Sequence, residues 1–199
     1  MKLPLFAIAV LLSATQAFGA ATVGKPAPDF ALTDLDGKPV RLSDFKGRHV
    51  VLEWHNHACP FVMKHYDSSN MQSLQNRYDA KDTVWLSINS TNSGQQDYLS
   101  NEKNKAYLAA KKASPDAYLP DPDGKVGTEY GAKTTPHMYV INPAGTLVYA
   151  GAIDDKRSTN VEDVKTAKNF LVAALEESRG GKAVSNASTT PYGCSVKYR

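Results

Sequence analysis

The feature that most restricts this chain is a single junction. His49-Val50-Val51-Leu52-Glu53-Trp54 is a run of strand formers that leads, through His55-Asn56-His57-Ala58, into Cys59-Pro60 and then into a helix-compatible stretch. Val50-Val51-Leu52 is apolar without alternation, as expected of a central strand covered on both faces. Pro60 suits a first helical position, because its missing N–H is one that a helix leaves unpaired there anyway. A thiol at such a strand-to-helix turn meets unpaired N–H groups and the positive end of the helix dipole, which favour thiolate over thiol. The junction therefore predicts an α/β fold and directs attention to redox chemistry at Cys59.

The order of elements on either side supports this. Asp29-Phe30-Ala31-Leu32 and Val40-Arg41-Leu42 flank an Asp36-Gly37 turn and predict a hairpin. After the junction, Val62, Tyr66, Met71, Leu74 and Tyr78 fall at helical spacings, predicting one helix from Pro60 to Tyr78. Val84-Trp85-Leu86-Ser87-Ile88 is the next strand, parallel to the first across a right-handed crossover. A helix follows over roughly Asn101 to Ala113, stopped by Ser114-Pro115, then a short strand at Tyr118-Leu119 and a brief helix over Val126 to Tyr130. His137-Met138-Tyr139-Val140-Ile141 and Leu147-Val148-Tyr149-Ala150 form a second hairpin around Asn142 to Thr146, and a last helix spans Val161 to Ser178. Alternating β and α units that end in a hairpin predict a mixed central sheet with helices on both faces.

Length and charge exclude other classes. The 199 residues suit one domain with appendages, and a formal charge of +3 is too small to argue for nucleic acid. Met1-Lys2, the apolar run Leu3 to Leu12 and the small residues up to Gly19 read as a secretory signal over 1–19, with a cut after Ala21 as the other choice. The run is too short for a comfortable membrane span, so no stable membrane insertion is expected after cleavage. The expected organisation is a signal segment, a folded domain over 22–179, and a flexible tail over 180–199 hinged at Gly180-Gly181. The expected location is an exported compartment that permits disulfides, the periplasm if the source is Gram-negative.

Taken together, the elements resemble the thioredoxin fold: Cys59 matches its first active-site cysteine, and Thr135-Pro136 its threonine–cis-proline. Gly24 to Phe30 with Leu42-Ser43-Asp44-Phe45-Lys46-Gly47 resembles the start of the alkyl hydroperoxide reductase/thiol-specific antioxidant and redoxin superfamily. Glu53-Trp54, Cys59-Pro60-Phe61-Val62, Lys64-His65-Tyr66 and Gly193-Cys194-Ser195-Val196-Lys197 resemble an exported, peroxiredoxin-like subgroup. The resemblance implies a cis bond before Pro136 and a thiol-dependent oxidoreductase, peroxiredoxin-like and antioxidant. Its substrate would be a peroxide or a protein disulfide, and an external thiol its reductant. It departs from its relatives in two ways. Val62 stands where thioredoxin-type reductases carry a second cysteine, which excludes a local dithiol. Leu52 and Asn56 stand where peroxiredoxins place a proline and a hydroxyl, leaving the Asn56 amide as the donor toward a peroxide.

A lone attacking cysteine needs a second thiol to reset it, and Cys194 is the only other one in the chain. The expected site is therefore Cys59 as attacking thiol and Cys194 as resolving thiol, supported by Asn56, His57, Pro60, Thr135 and Pro136. A protein thiol–disulfide exchanger and a non-catalytic domain stapled by a Cys59–Cys194 disulfide are the alternatives; such a staple contributes roughly 4–5 kcal/mol in the loop-entropy model. A copper-binding assembly factor is a further one, drawing on His55, His57, Cys59, Met63 and His137. No cofactor is expected, since there is no Gly-rich phosphate loop. Glu53 is read either as a proton acceptor or as a strand-end residue bonded to Lys64 or Trp54. Lys64, His65 and Arg157 are read as solvated surface residues, and Asp154 to Arg157 as a charged loop.

Overall fold

A computed structural model describes residues 20–78 and 82–198; the expected signal segment over 1–19 lies outside them. Strands β1 (Ala31–Thr33) and β2 (Pro39–Arg41) form the first hairpin, closed at Asp36-Gly37, and a 3₁₀ turn (Leu42–Phe45) follows. Strand β3 (His49–Trp54) is buried along its whole length and lies at the centre of a five-stranded sheet. Strand β4 (Thr83–Asn89) runs parallel to it, with Val51 opposite Trp85 and Trp54 opposite Ile88. Beyond β4 lies β5 (Ala117–Pro120), also parallel. On the other side β7 (His137–Ile141) pairs antiparallel with β3, and β8 (Leu147–Gly151) antiparallel with β7. The spatial order is β5-β4-β3-β7-β8.

The absence of alternation in β3 has its expected cause, because each face carries its own core. Val51, Trp85, Met138, Val140 and Tyr149 pack under helices α1 (Pro60–Asp67), α2 (Asn70–Tyr78) and α5 (Phe170–Arg179). Val50, Leu52, Trp54, Leu86, Ile88 and Tyr139 pack under the first hairpin and α4 (Lys125–Tyr130). Helix α3 (Asn101–Lys111) flanks the first layer; its Lys111 carbonyl accepts from Gln72 Nε2 at 2.7 Å. No helix among the described residues is long and apolar enough to cross a membrane.

Two helices are shorter than their periodicity predicts. The helix expected from Pro60 to Tyr78 is two helices, broken where Ser69 takes a left-handed φ of 59°. Ser68-Ser69-Asn70 supplies three short polar side chains that compete for backbone groups and so favour ends over interiors. Asn70 turns its amide onto His65 Nδ1 at 2.9 Å, and Gln72 Nε2 donates to the Tyr66 carbonyl that the break leaves free. The helix expected from Val161 to Ser178 is a 3₁₀ turn (Val161–Lys165) and the separate α5. Asn160 and Asn169 each cap one of them, accepting from the Glu162 and Val172 N–H groups.

The tail also differs from its expectation. Instead of swinging on a Gly-Gly hinge, residues 187–198 lie across the sheet and one end of the fold. Ser188 bridges Ala150, and Thr189 accepts from the Ala152 N–H at 2.9 Å. Strand β9 (Cys194–Ser195) pairs antiparallel with β6 (Thr134–Thr135). Tyr198 donates to the Ala132 carbonyl at 2.9 Å, and its ring sits where any side chain at Gly124 or Gly127 would clash.

Candidate active site

Cys59 is the N-cap of α1. Its carbonyl accepts from the Val62 and Met63 N–H groups, both at 2.9 Å, and so opens the helix. The loop before it is held by Asn56, whose Oδ1 accepts from the Ala58 N–H at 2.8 Å and whose Nδ2 donates to Thr91 Oγ1 at 3.0 Å. Both ends of that amide are therefore engaged, and the expectation that it is free to orient a peroxide is corrected. The Cys59 thiol is 2% exposed and donates to the Thr135 carbonyl at 3.0 Å. The Thr135–Pro136 bond is cis.

The second thiol arrives on the tail. In the β6–β9 pair Thr135 is opposite Cys194, so one residue, Thr135, faces both cysteines. The pairing needs the backbone of Gly193 to pass close to Thr135. Its φ is 133°, and a side chain there would overlap the Thr135 carbonyl oxygen. Both thiols are free, and Cys194 is half-buried. Burial, a hydrogen bond to Cys59 and the charge of Cys59 push the Cys194 thiol up to about 12, with Lys197 pulling the other way. Cys194 therefore stays protonated near neutrality while both thiols are reduced.

Below Cys59 lies a buried polar layer. Glu53 is fully buried and accepts from Tyr66 Oη at 2.9 and 3.1 Å, from Trp85 Nε1 at 2.9 Å and from Ser87 Oγ at 2.9 Å. Neither Lys64 nor Trp54 bonds it, which corrects the strand-end reading. Burial raises its carboxyl above the usual range, and the donors only partly offset this. His55 is enclosed by Tyr66, Tyr107 and Tyr118, with ring centroids 5.3 to 5.4 Å away, and its Nδ1 shares a 3.0 Å bond with Tyr118 Oη. Burial, with the neighbouring His57, depresses His55 to about 3. His57 is half-buried against Tyr107 and lowered by burial, with Asp97 acting in the other direction.

The residues considered for copper do not gather. His137 is opposite Trp54 on the far face of the sheet, where Tyr139 Oη and the Lys133 N–H meet its Nδ1. Its approach to Cys59 is thus corrected: Met138 and Val140 take the α1 face, so His137 must take the other. Met63 is exposed, and among the described residues no three His, Cys, Asp or Glu side chains form a group able to hold a metal ion.

Three residues read as solvated or as loop are instead core. Lys64 and His65 are 1% and 0% exposed, and Asp154 is 2% exposed. Lys64 Nζ lies 3.5 Å from Asp154 Oδ2 and donates to the Lys156 carbonyl at 2.8 Å and to Tyr192 Oη at 3.4 Å. Tyr192 Oη donates to Asp154 Oδ1. Nothing in the local sequence marks this group, since its members are far apart along the chain; Arg157 alone is exposed as expected.

Comparison with known proteins agrees with this architecture. An uncharacterized conserved protein from Geobacillus kaustophilus superposes with a TM-score of 0.76 at 31% identity, over 89% of this chain and 93% of that one. The thioredoxin domain of a thiol-disulfide oxidoreductase from Bacteroides vulgatus superposes with a TM-score of 0.53 at 22% identity, over 74% of this chain and 98% of that one, which shows the thioredoxin fold. In sequence, the thiol-disulfide oxidoreductase ResA of Bacillus thuringiensis subsp. konkukian is 29% identical over 126 residues, 57% of this chain and 72% of that protein. Residues 23–150, from the lead-in before the first hairpin to the strand that carries Tyr149, match the AhpC/TSA family, and the chain belongs to it.

Proposed function

We propose that this protein is an exported thiol–disulfide oxidoreductase in which Cys59 attacks and Cys194 resolves. The observation that carries the reading is the register of β6 on β9, which sets Cys194 opposite Thr135, the residue whose carbonyl holds the Cys59 thiol. The names of the ResA relatives support disulfide exchange over peroxide reduction, and so does an Asn56 amide already spent on Ala58 and Thr91. The apolar segment after Lys2 supports export, and the unit over 22–179 serves as scaffold for the tail.

The cycle balances with two thiols. Cys59 thiolate attacks one sulfur of a protein disulfide, forming a mixed disulfide and releasing the other sulfur as a thiolate. Cys194 then loses its proton to solvent and attacks the Cys59 sulfur. The Cys59–Cys194 bond forms, and the substrate leaves as a dithiol that has gained two electrons. An external thiol reductant returns both cysteines to the starting state. Two of the causes that hold Cys194 up, the hydrogen bond to Cys59 and its charge, vanish once Cys59 is in a mixed disulfide. Cys194 is therefore a poor nucleophile before the first step and a better one after it.

The test is mass spectrometry after exposure to oxidised glutathione. The full chain is expected to yield the internal disulfide, and Cys194→Ser to trap glutathione on Cys59. A full chain that stays glutathionylated on Cys59 refutes Cys194 as the resolving thiol. Rapid peroxide consumption without disulfide exchange would replace the exchange reading with the antioxidant one.

A further inference from the structure

We infer that the buried Lys64–Asp154–Tyr192 cluster is a latch that holds Cys194 in attacking position, so that these are positioning residues for the resolving step. This rests on the reading of Cys194 as the resolving thiol. Lys64 lies in α1, the helix that Cys59 opens. Asp154 lies just past β8, where the chain turns toward α5, and bridges Asn169. Tyr192 is two residues before Cys194. The cluster thus ties the helix under the attacking thiol to the segment carrying the resolving thiol, through groups that are almost wholly removed from water.

Every member is paired. Lys64 Nζ reaches Asp154, Tyr192 and the Lys156 carbonyl; Tyr192 Oη donates to Asp154; and the Tyr192 ring packs edge-on against Phe61 at 5.8 Å, two residues from Cys59. His65 Nε2 is 3.8 Å from the same carboxylate. A buried ion pair is weak evidence of stability, because desolvation cancels much of its attraction; its better use is to permit one arrangement and forbid others. Here the permitted arrangement fixes where Tyr192 sits. The two-residue strand β9 has little cross-strand bonding of its own to hold it. With Gly193 the only residue between them, a located Tyr192 leaves Cys194 little freedom. A free tail would present its thiol as one of many conformers, whereas a latched one presents it next to Cys59 throughout, and the difference is one of effective concentration.

The experiment separates the two chemical steps with dithiobisnitrobenzoate as the disulfide. Attack by Cys59 releases the first equivalent of thionitrobenzoate, and attack by Cys194 on the resulting mixed disulfide releases the second. In Tyr192→Phe, which loses one oxygen atom, and in Asp154→Asn, which keeps the shape and loses the charge, the ratio of second-step to first-step rate is expected to fall at least tenfold. A merely structural role lowers the unfolding temperature and leaves that ratio unchanged when each variant is assayed well below its own transition. An unchanged ratio in folded Tyr192→Phe overturns the latch, and this variant suffices if Asp154→Asn does not fold. Release of only one equivalent by the unaltered chain would instead overturn the role of Cys194 itself.

Discussion

Acid should weaken this fold through its buried histidines, and His65 gives the clearest measurement. Its side chain is 0% exposed, accepts from Asn70 at Nδ1, and is depressed from an ordinary 6.5 to about 3 by burial first and the Lys64 charge second. A histidine lowered in the folded state is neutral there while the unfolded chain takes up a proton. Its contribution is therefore present above about 6.5 and is lost as pH falls toward about 3. Between pH 7 and pH 5 the unfolded state gains about 2 kcal/mol from protonating this one group, since each tenfold rise in proton activity below its ordinary pKa favours the protonated chain by about 1.4 kcal/mol. His55, lowered to about 3, and His137, lowered to about 4, act in the same direction. Together the three reach about 6 kcal/mol, which is the scale of a whole domain's stability. Glu53 is raised by burial and works oppositely, its contribution being lost as pH rises. The comparison must therefore be between variants and not between pH values alone. Urea unfolding of the parent and of His65→Gln at pH 7 and pH 5 is the assay. The loss of stability between those pH values should be about 2 kcal/mol smaller in the variant. An equal loss in both would refute the reasoning that a neutral, desolvated His65 links acid to unfolding.

Other changes act on the site directly. Gly193→Ala should push β9 off β6, because the new methyl meets the Thr135 carbonyl and φ is 133°; alkylation of Cys59 by iodoacetamide should speed up and formation of the internal disulfide slow at least tenfold, and unchanged rates would show that the close approach is unnecessary. Lys64→Met leaves the Asp154 carboxylate buried without its cation and should cost about 3–5 kcal/mol in urea unfolding, most of it recovered by adding Asp154→Leu. Tyr66→Phe removes the hydroxyl that donates to both Glu53 oxygens and should cost about 1–3 kcal/mol in the same assay. A loss well under 1 kcal/mol in either would contradict the pairing described.

Much of the scaffold is legible residue by residue. Val50-Val51-Leu52 announces a doubly covered strand, Asp36-Gly37 and Gly145 announce turns, and Cys59-Pro60 announces a helix start; all depend on chemistry within a few residues. The face taken by His137 was also within reach, because a strand alternates and Met138 and Val140 are the natural core residues. The break at Ser69 had a signal in Ser68-Ser69-Asn70, which the apolar spacing from Val62 to Tyr78 outweighed. Nothing local separates Lys64 and Asp154 from the ordinary charged residues around them.

By itself the sequence determined the mixed sheet, the cysteine at the head of a helix, and the need for a second thiol elsewhere, because periodicity, turn chemistry and the presence or absence of a cysteine are local properties. Only the tertiary structure decided which thiol meets which carbonyl and which charges are buried. Thr135 finds Cys194, and Lys64 finds Asp154 and Tyr192, across separations of 59, 90 and 128 residues. Burial and pairing over such distances are set by how the whole chain packs, and no short stretch of it carries that information.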